Sequence, residues 1–155
     1  MHLYDRRATV TNNTVQEDNS TLTYSGTWGS NKSGNFSGGG SSFTNGDGAS
    51  VSLKFHGMLS IRQVNIFLPV LINEYLGSTI WVFGDKKNDH GLYSVVLDNG
   101  TAQIFDGVSG CGGAFGMTCK QQQPCIKYFA SNLDTSEHSL TITNIPGVNN
   151  SFFGP

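Results

Sequence analysis

The densest run of side chains able to do chemistry is Asp85-Lys86-Lys87-Asn88-Asp89-His90-Gly91. Carboxylates, an amide and an imidazole gathered on one loop can exchange hydrogen bonds with sugar hydroxyls, which makes Asp85, Asn88, Asp89 and His90 candidate ligand contacts. A solvated turn, with Asn, Asp and Gly supplying the backbone angles, accounts for the same run. Calcium fits poorly, because these residues offer three oxygen-bearing side chains against the usual six to eight or so ligands, without EF-hand spacing. Trp28 and Trp81 are the rings on which a pyranose could stack its apolar face. Trp81 lies among Ile80, Val82 and Phe83 and reads as core, whereas Trp28 stands at a strand end before a Gly/Ser/Asn-rich stretch over 29–42. Trp28 is therefore the candidate platform, with core packing as the competing reading.

Cys111, Cys119 and Cys125 are the only cysteines. In an oxidising compartment two of them could close a short loop, a constraint of about 2–3 kcal/mol, and the spacing leaves open which two. Neither spacing is the C-x2-C of a zinc site, so no metal or other cofactor is expected. No G-x-S-x-G elbow occurs, and Ser109-Gly110-Cys111 has no histidine near it in sequence. No catalytic residue is therefore expected. His56 and His138 fall in strand patterns and read as ordinary surface or edge residues.

These residues sit in a chain of 155 residues and 16.7 kDa, enough for one domain with a core. Only 13% of residues are charged, the net charge is −2, and Gly, Ser, Thr and Asn fill 64 positions. With no basic block, phosphate-driven nucleic-acid binding and polybasic membrane binding are excluded. N-x-S/T sequons at Asn12, Asn19, Asn31, Asn35, Asn99 and Asn149 make those residues glycosylation candidates and suggest export. No leader is visible at Met1.

Alternation with a period of two, without any helical stripe, marks the elements that must carry these residues. Strands are expected at 22–28, 49–56, 79–84, 92–98, 101–105, 126–131 and 138–144. Asn99-Gly100 predicts a tight type I′ hairpin between two of them. Seven short strands with Gly/Asn/Asp/Ser punctuation predict an all-β, antiparallel β-sandwich. One segment breaks the composition: residues 58–76 hold a single Gly, Ala, Ser or Thr, namely Ser60, and are rich in Ile, Leu and Asn. Arg62, Pro69 and Glu74 exclude a membrane helix. A buried strand pair or helix would account for it, and so would a translated intron. In the second case joining Gly57 to Ser78 restores a plain strand-turn-strand, and the translated segment would be locally disordered or a mispacked apolar flap, its exposed Ile, Leu and Phe promoting association.

The motifs TLTYSGTW (21–28), ASVSLKF (49–55), IWVFGDKKNDHGLYSVVLD (80–98), CGGAFGMTC (111–119) followed by CIKYFASNLD (125–134), and HSLTITNIPG (138–147) carry a resemblance. Together they resemble the ectodomains of a large group of basidiomycete secreted or single-pass membrane proteins, classed as galactose-binding-domain-like β-sandwiches. The resemblance covers about residues 17–148 apart from 58–76, and it implies a jelly-roll sandwich, an extracellular or cell-surface location and relatives that continue into a membrane helix. It implies no catalytic residues, because none is established in that group. The expected organisation is a tail at 1–16, a single domain at 17–148 interrupted at 58–76, and a tail at 149–155. The expected function is a non-enzymatic carbohydrate-binding-like or adhesion ectodomain, with a glycan or wall polysaccharide as partner and no nucleic acid or membrane insertion. A secreted enzyme or accessory domain using Asp85 and Asp89 on polysaccharide, and a protein-interaction ectodomain with no sugar ligand, are the alternatives.

Overall fold

In the computed structural model the described residues are 13–32, 34, 37–57, 60–63, 73–76, 78–86, 90–107 and 122–145. They form β1 (Leu22–Ser25), β2 (Gly29–Lys32), β3 (Gly40–Phe43), β4 (Ser50–His56), β5 (Ser60–Gln63), β6 (Asn73–Leu76), β7 (Ser78–Lys86), β8 (Leu92–Leu97), β9 (Gln103–Asp106), β10 (Gln122–Leu133) and β11 (Glu137–Asn144). The described helical structure is one 3-10 turn at Ser37–Gly39. No helix among the described residues is long and apolar enough to cross a membrane. The molecule is all-β, with antiparallel pairing throughout the described ladders.

Five strands form the main sheet in the order β1-β4-β11-β8-β9. Register places Leu53, Leu140 and Leu97 in one row and Val51, Ile142 and Val95 in the next. Because side chains alternate across a strand, these rows face one side. The other side carries rows of hydroxyls, with Thr23, Ser52 and Thr141 aligned, and Ser25, Ser50, Thr143 and Ser94 aligned. Seven of the chain's 30 Ser and Thr residues thus line the outer face of this sheet. The inner rows meet a two-stranded ribbon of β7 and β10. Val95, Leu140 and Tyr128 are the buried centre, and Ile80, Val82, Ala130, Phe55, Tyr93, Leu97, Phe105 and Ile142 pack around it.

The seven expected strands are all present, with shifted ends. The Gly/Ser/Asn-rich stretch over 29–42, for which no strand is expected, carries the β2–β3 ribbon, which runs on to Phe43 opposite Gly29. The turn after β8 also differs from expectation. Gly100 N donates to Leu97 O at 3.0 Å, so the central residues are Asp98 and Asn99. Asp98 holds the positive φ of 54°, and the connection runs to Gln103. A side-chain tie explains the shift: Asp98 Oδ1 accepts from Ser139 N at 2.8 Å, anchoring the turn to β11 one residue early. Within 58–76, β5 and β6 pair with each other as a separate hairpin. The chain leaves β4 at Gly57, whose N donates to Ser136 O at 3.3 Å, and re-enters at Ser78, opposite Leu133. Both ends of the insertion therefore abut the connection between β10 and β11.

Candidate functional site

β7 is a β-branched and aromatic run, STIWVFGDK, and its residues alternate between half-buried and exposed from Ser78 to Gly84. Ile80 and Val82 turn to the core, which sends Thr79, Trp81 and Phe83 outward. In β10, Tyr128 and Ala130 face the core while Ile126, Phe129 and Ser131 face out. Register irregularities between Ile126 and Tyr128 and between Ala130 and Leu133 accommodate the uneven spacing of those residues. Across the ribbon Phe83 stands opposite Ile126, and Trp81 opposite Phe129.

The result is a contiguous apolar face open to solvent. Trp81 is 49% exposed, Phe83 60%, Ile126 47% and Phe129 57%. The Trp81 and Phe129 rings stack with centroids 5.3 Å apart and planes 22° apart. Scattered surface hydrophobes need no explanation, but four large ones in two facing pairs on one ribbon form a patch of the kind that meets a ligand or partner. The face carries no charge at the positions named, and Thr79 and Ser131 place hydroxyl-bearing residues at its end. Lys127 belongs to the other side, where its Nζ lies 5.6 Å from the Tyr93 ring centroid and its stem crosses Gly84. On that inner side Val82, Tyr93, Lys127 and Ile142 line a small apolar opening of about 150 Å³.

The residues singled out from sequence are dispersed. Trp28 is half-buried beside β1, set edge-on to Tyr24 with centroids 4.9 Å apart, and its Nε1 donates to Ser25 O at 2.9 Å. It serves as a local bracket. Trp81, read as core, is the exposed ring, because its strand covers the core with one side only. Asp85 lies within β7, two positions beyond Phe83, and Asn88 and Asp89 fall outside the described residues. His90 is half-buried and backs onto Gly107, whose N donates to Gly91 O at 3.0 Å. Cys125 lies in β10 opposite Gly84, and Cys111 and Cys119 are outside the described residues. Asn31 on β2 and Asn99 in the turn after β8 are exposed. Asn19 Oδ1 accepts from both the amide and the hydroxyl of Thr21, at 2.9 and 2.8 Å. Asn12, Asn35 and Asn149 fall outside the described residues.

His138 is also placed differently from expectation, buried on the inner side of β11 and bonded through its two ring nitrogens to Asp98 and Asp134. The two carboxylates lie on different nitrogens, and no group of three or more metal-ligating side chains converges among the described residues. Comparison of the chain with protein-family models, curated proteins and solved structures gives no match.

Proposed function

We propose that this chain is a non-catalytic, extracellular carbohydrate-binding or adhesion module of the galactose-binding-like jelly-roll type, with the main sheet and the β7–β10 ribbon as the layers of its sandwich. Its ligand surface is the outer face of the ribbon. The single observation that carries this reading is the uncharged patch of Trp81, Phe83, Ile126 and Phe129, more than half of it aromatic and centred on a stacked ring pair. A pyranose presents an apolar CH face with hydroxyls around its rim. An aromatic surface with hydroxyl-bearing Thr79 and Ser131 at its end matches that chemistry better than it matches a charged partner. The six sequons and the low charge support the compartment.

Pull-down on insoluble chitin, β-glucan and mannan, with a glycan array alongside, tests the proposal. Trp81→Ala and Phe129→Ala are each expected to weaken retention about tenfold, equivalent to about 1.4 kcal/mol, while Trp28→Ala leaves it unchanged. Retention unaffected by both changes, or no glycan bound by the unaltered chain, would overturn the reading.

A further inference from the structure

His138 shares the inward side of β11 with Leu140 and is 7% exposed. Its ring lies against Phe55 of β4, with centroids 5.6 Å apart. Nδ1 is 3.0 Å from Asp98 Oδ2 in the turn after β8. Nε2 is 3.3 Å from both the carbonyl oxygen and Oδ1 of Asp134, in the connection between β10 and β11. Both carboxylates are held in place by other donors. Ser139 N donates to Asp98 Oδ1 at 2.8 Å, and the amide and hydroxyl of Ser136 donate to Asp134 Oδ1 at 2.8 and 2.5 Å. Every one of these partners accepts hydrogen bonds from the ring. A neutral imidazole has one N–H and the imidazolium has two, so only the charged ring satisfies both sides. The neutral ring sets a nitrogen lone pair against oxygen lone pairs at a ring that is itself buried, although Asp98 and Asp134 reach solvent.

We propose that protonated His138 acts as a rivet, fastening the turn after β8 and the β10–β11 connection to the main sheet, so that the domain is tightest in mildly acidic surroundings. Loss of the proton leaves one N–H for two acceptors, so the ring then holds only one of the two connections. The electrostatics agree with the geometry: the hydrogen bond to Asp98 raises the imidazole above its ordinary 6.5, against the opposing effect of burial. Asp98 is held below 3.8, chiefly by its hydrogen bond to His138, and Asp134 below 3.8, chiefly by the Ser136 hydroxyl. The neighbouring Tyr128 phenol of β10 is pushed up by burial, then by the charge of Asp98, and stays neutral. On the outer side, Lys54 of β4 pairs with Glu137 of β11 at 3.1 Å, and His56 stands opposite Glu137 in the register. The histidine's contribution is complete below pH 6.5 and is lost as pH rises through its higher folded value; the carboxylates' contributions are complete above 3.8 and are lost as pH falls through their lower folded values. Together the three groups stabilise the fold most between pH 3.8 and 6.5.

Imidazole NMR of the unaltered chain, titrated from about pH 4 to about pH 9 with thermal unfolding in parallel, tests this. His138 is expected to titrate above 6.5, with the unfolding midpoint falling by several degrees as the ring deprotonates. Protection of the Ser136 or the Ser139 amide, taken relative to its intrinsic exchange rate at each pH, should fall over the same interval. Asp98→Asn is expected to lower the His138 titration and flatten the decline, and the unaltered chain alone decides the matter where that variant does not fold. A His138 that titrates at or below 6.5, or a midpoint that stays level or rises through its titration, overturns the proposal.

Discussion

Leu140 is 4% exposed at the centre of the main sheet, with Val95 and Tyr128 as buried neighbours, so its truncation leaves a hole that β-sheet backbones cannot close. Leu140→Ala is expected to cost about 2–5 kcal/mol in urea unfolding. Trp81→Ala removes a larger side chain from an open face and is expected to cost less, about 0.5–1.5 kcal/mol, chiefly the stacked contact with Phe129. That contrast separates a core residue from a ligand residue without any ligand in the cell. Much of it was legible in the sequence: Ile80 and Val82 share one parity and Trp81 and Phe83 the other. Trp81 nevertheless reads as core from sequence, because a short continuous apolar run is also the pattern of a central strand in a covered sheet. His138 likewise shares the parity of Leu140 and Ile142, which already places it inside. Its two carboxylate partners lie 40 and 4 residues away, and the more distant partner had no local signal.

At the level of elements, alternation found every strand of the main sheet and both strands of the β7–β10 ribbon. It missed β2 and β3, whose Gly, Ser and Asn residues lack the apolar face that alternation detects. The turn after β8 was misplaced by one residue because a long-range bond from Asp98 to Ser139 overrides the local preference of Asn99-Gly100. The joint between β4 and the β10–β11 connection depends on a missing side chain. A Cβ on Gly57 would collide with the Asp134 carbonyl oxygen, and Gly57 is buried. Gly57→Ala is therefore expected to cost about 2 kcal/mol or more in the same unfolding assay and to raise amide exchange at Ser136. An unchanged midpoint would show that this joint is looser than its packing indicates.

Across the whole molecule, the apolar insertion and the apolar face raise one question, namely which residues the fold needs. Gly57 and Ser78 both abut the connection around Leu133 to Ser136, and β5 and β6 hydrogen-bond as a pair of their own. We therefore expect a chain with Gly57 joined to Ser78 to keep the main sheet and the ribbon, with an unchanged far-ultraviolet dichroism signature of β-structure and an unfolding midpoint no lower than that of the full chain. Loss of cooperative unfolding would mean that the insertion belongs to the fold. Among the described residues five apolar side chains are buried, namely Ala49, Val95, Tyr128, Leu133 and Leu140. Composition alone could not say that part of the apolar content lies outside, on one face of a ribbon.

The tryptophan of that face reports on its occupancy directly. Replacing Trp28 with Phe leaves Trp81 as the sole indole. Its emission should be that of a half-exposed ring and should shift to shorter wavelength, saturably, as a polysaccharide that retains the protein is added. Retention with the Trp81 emission unchanged, or a shift that persists in the variant in which Trp81 is replaced and Trp28 remains, would contradict a ligand surface on this face.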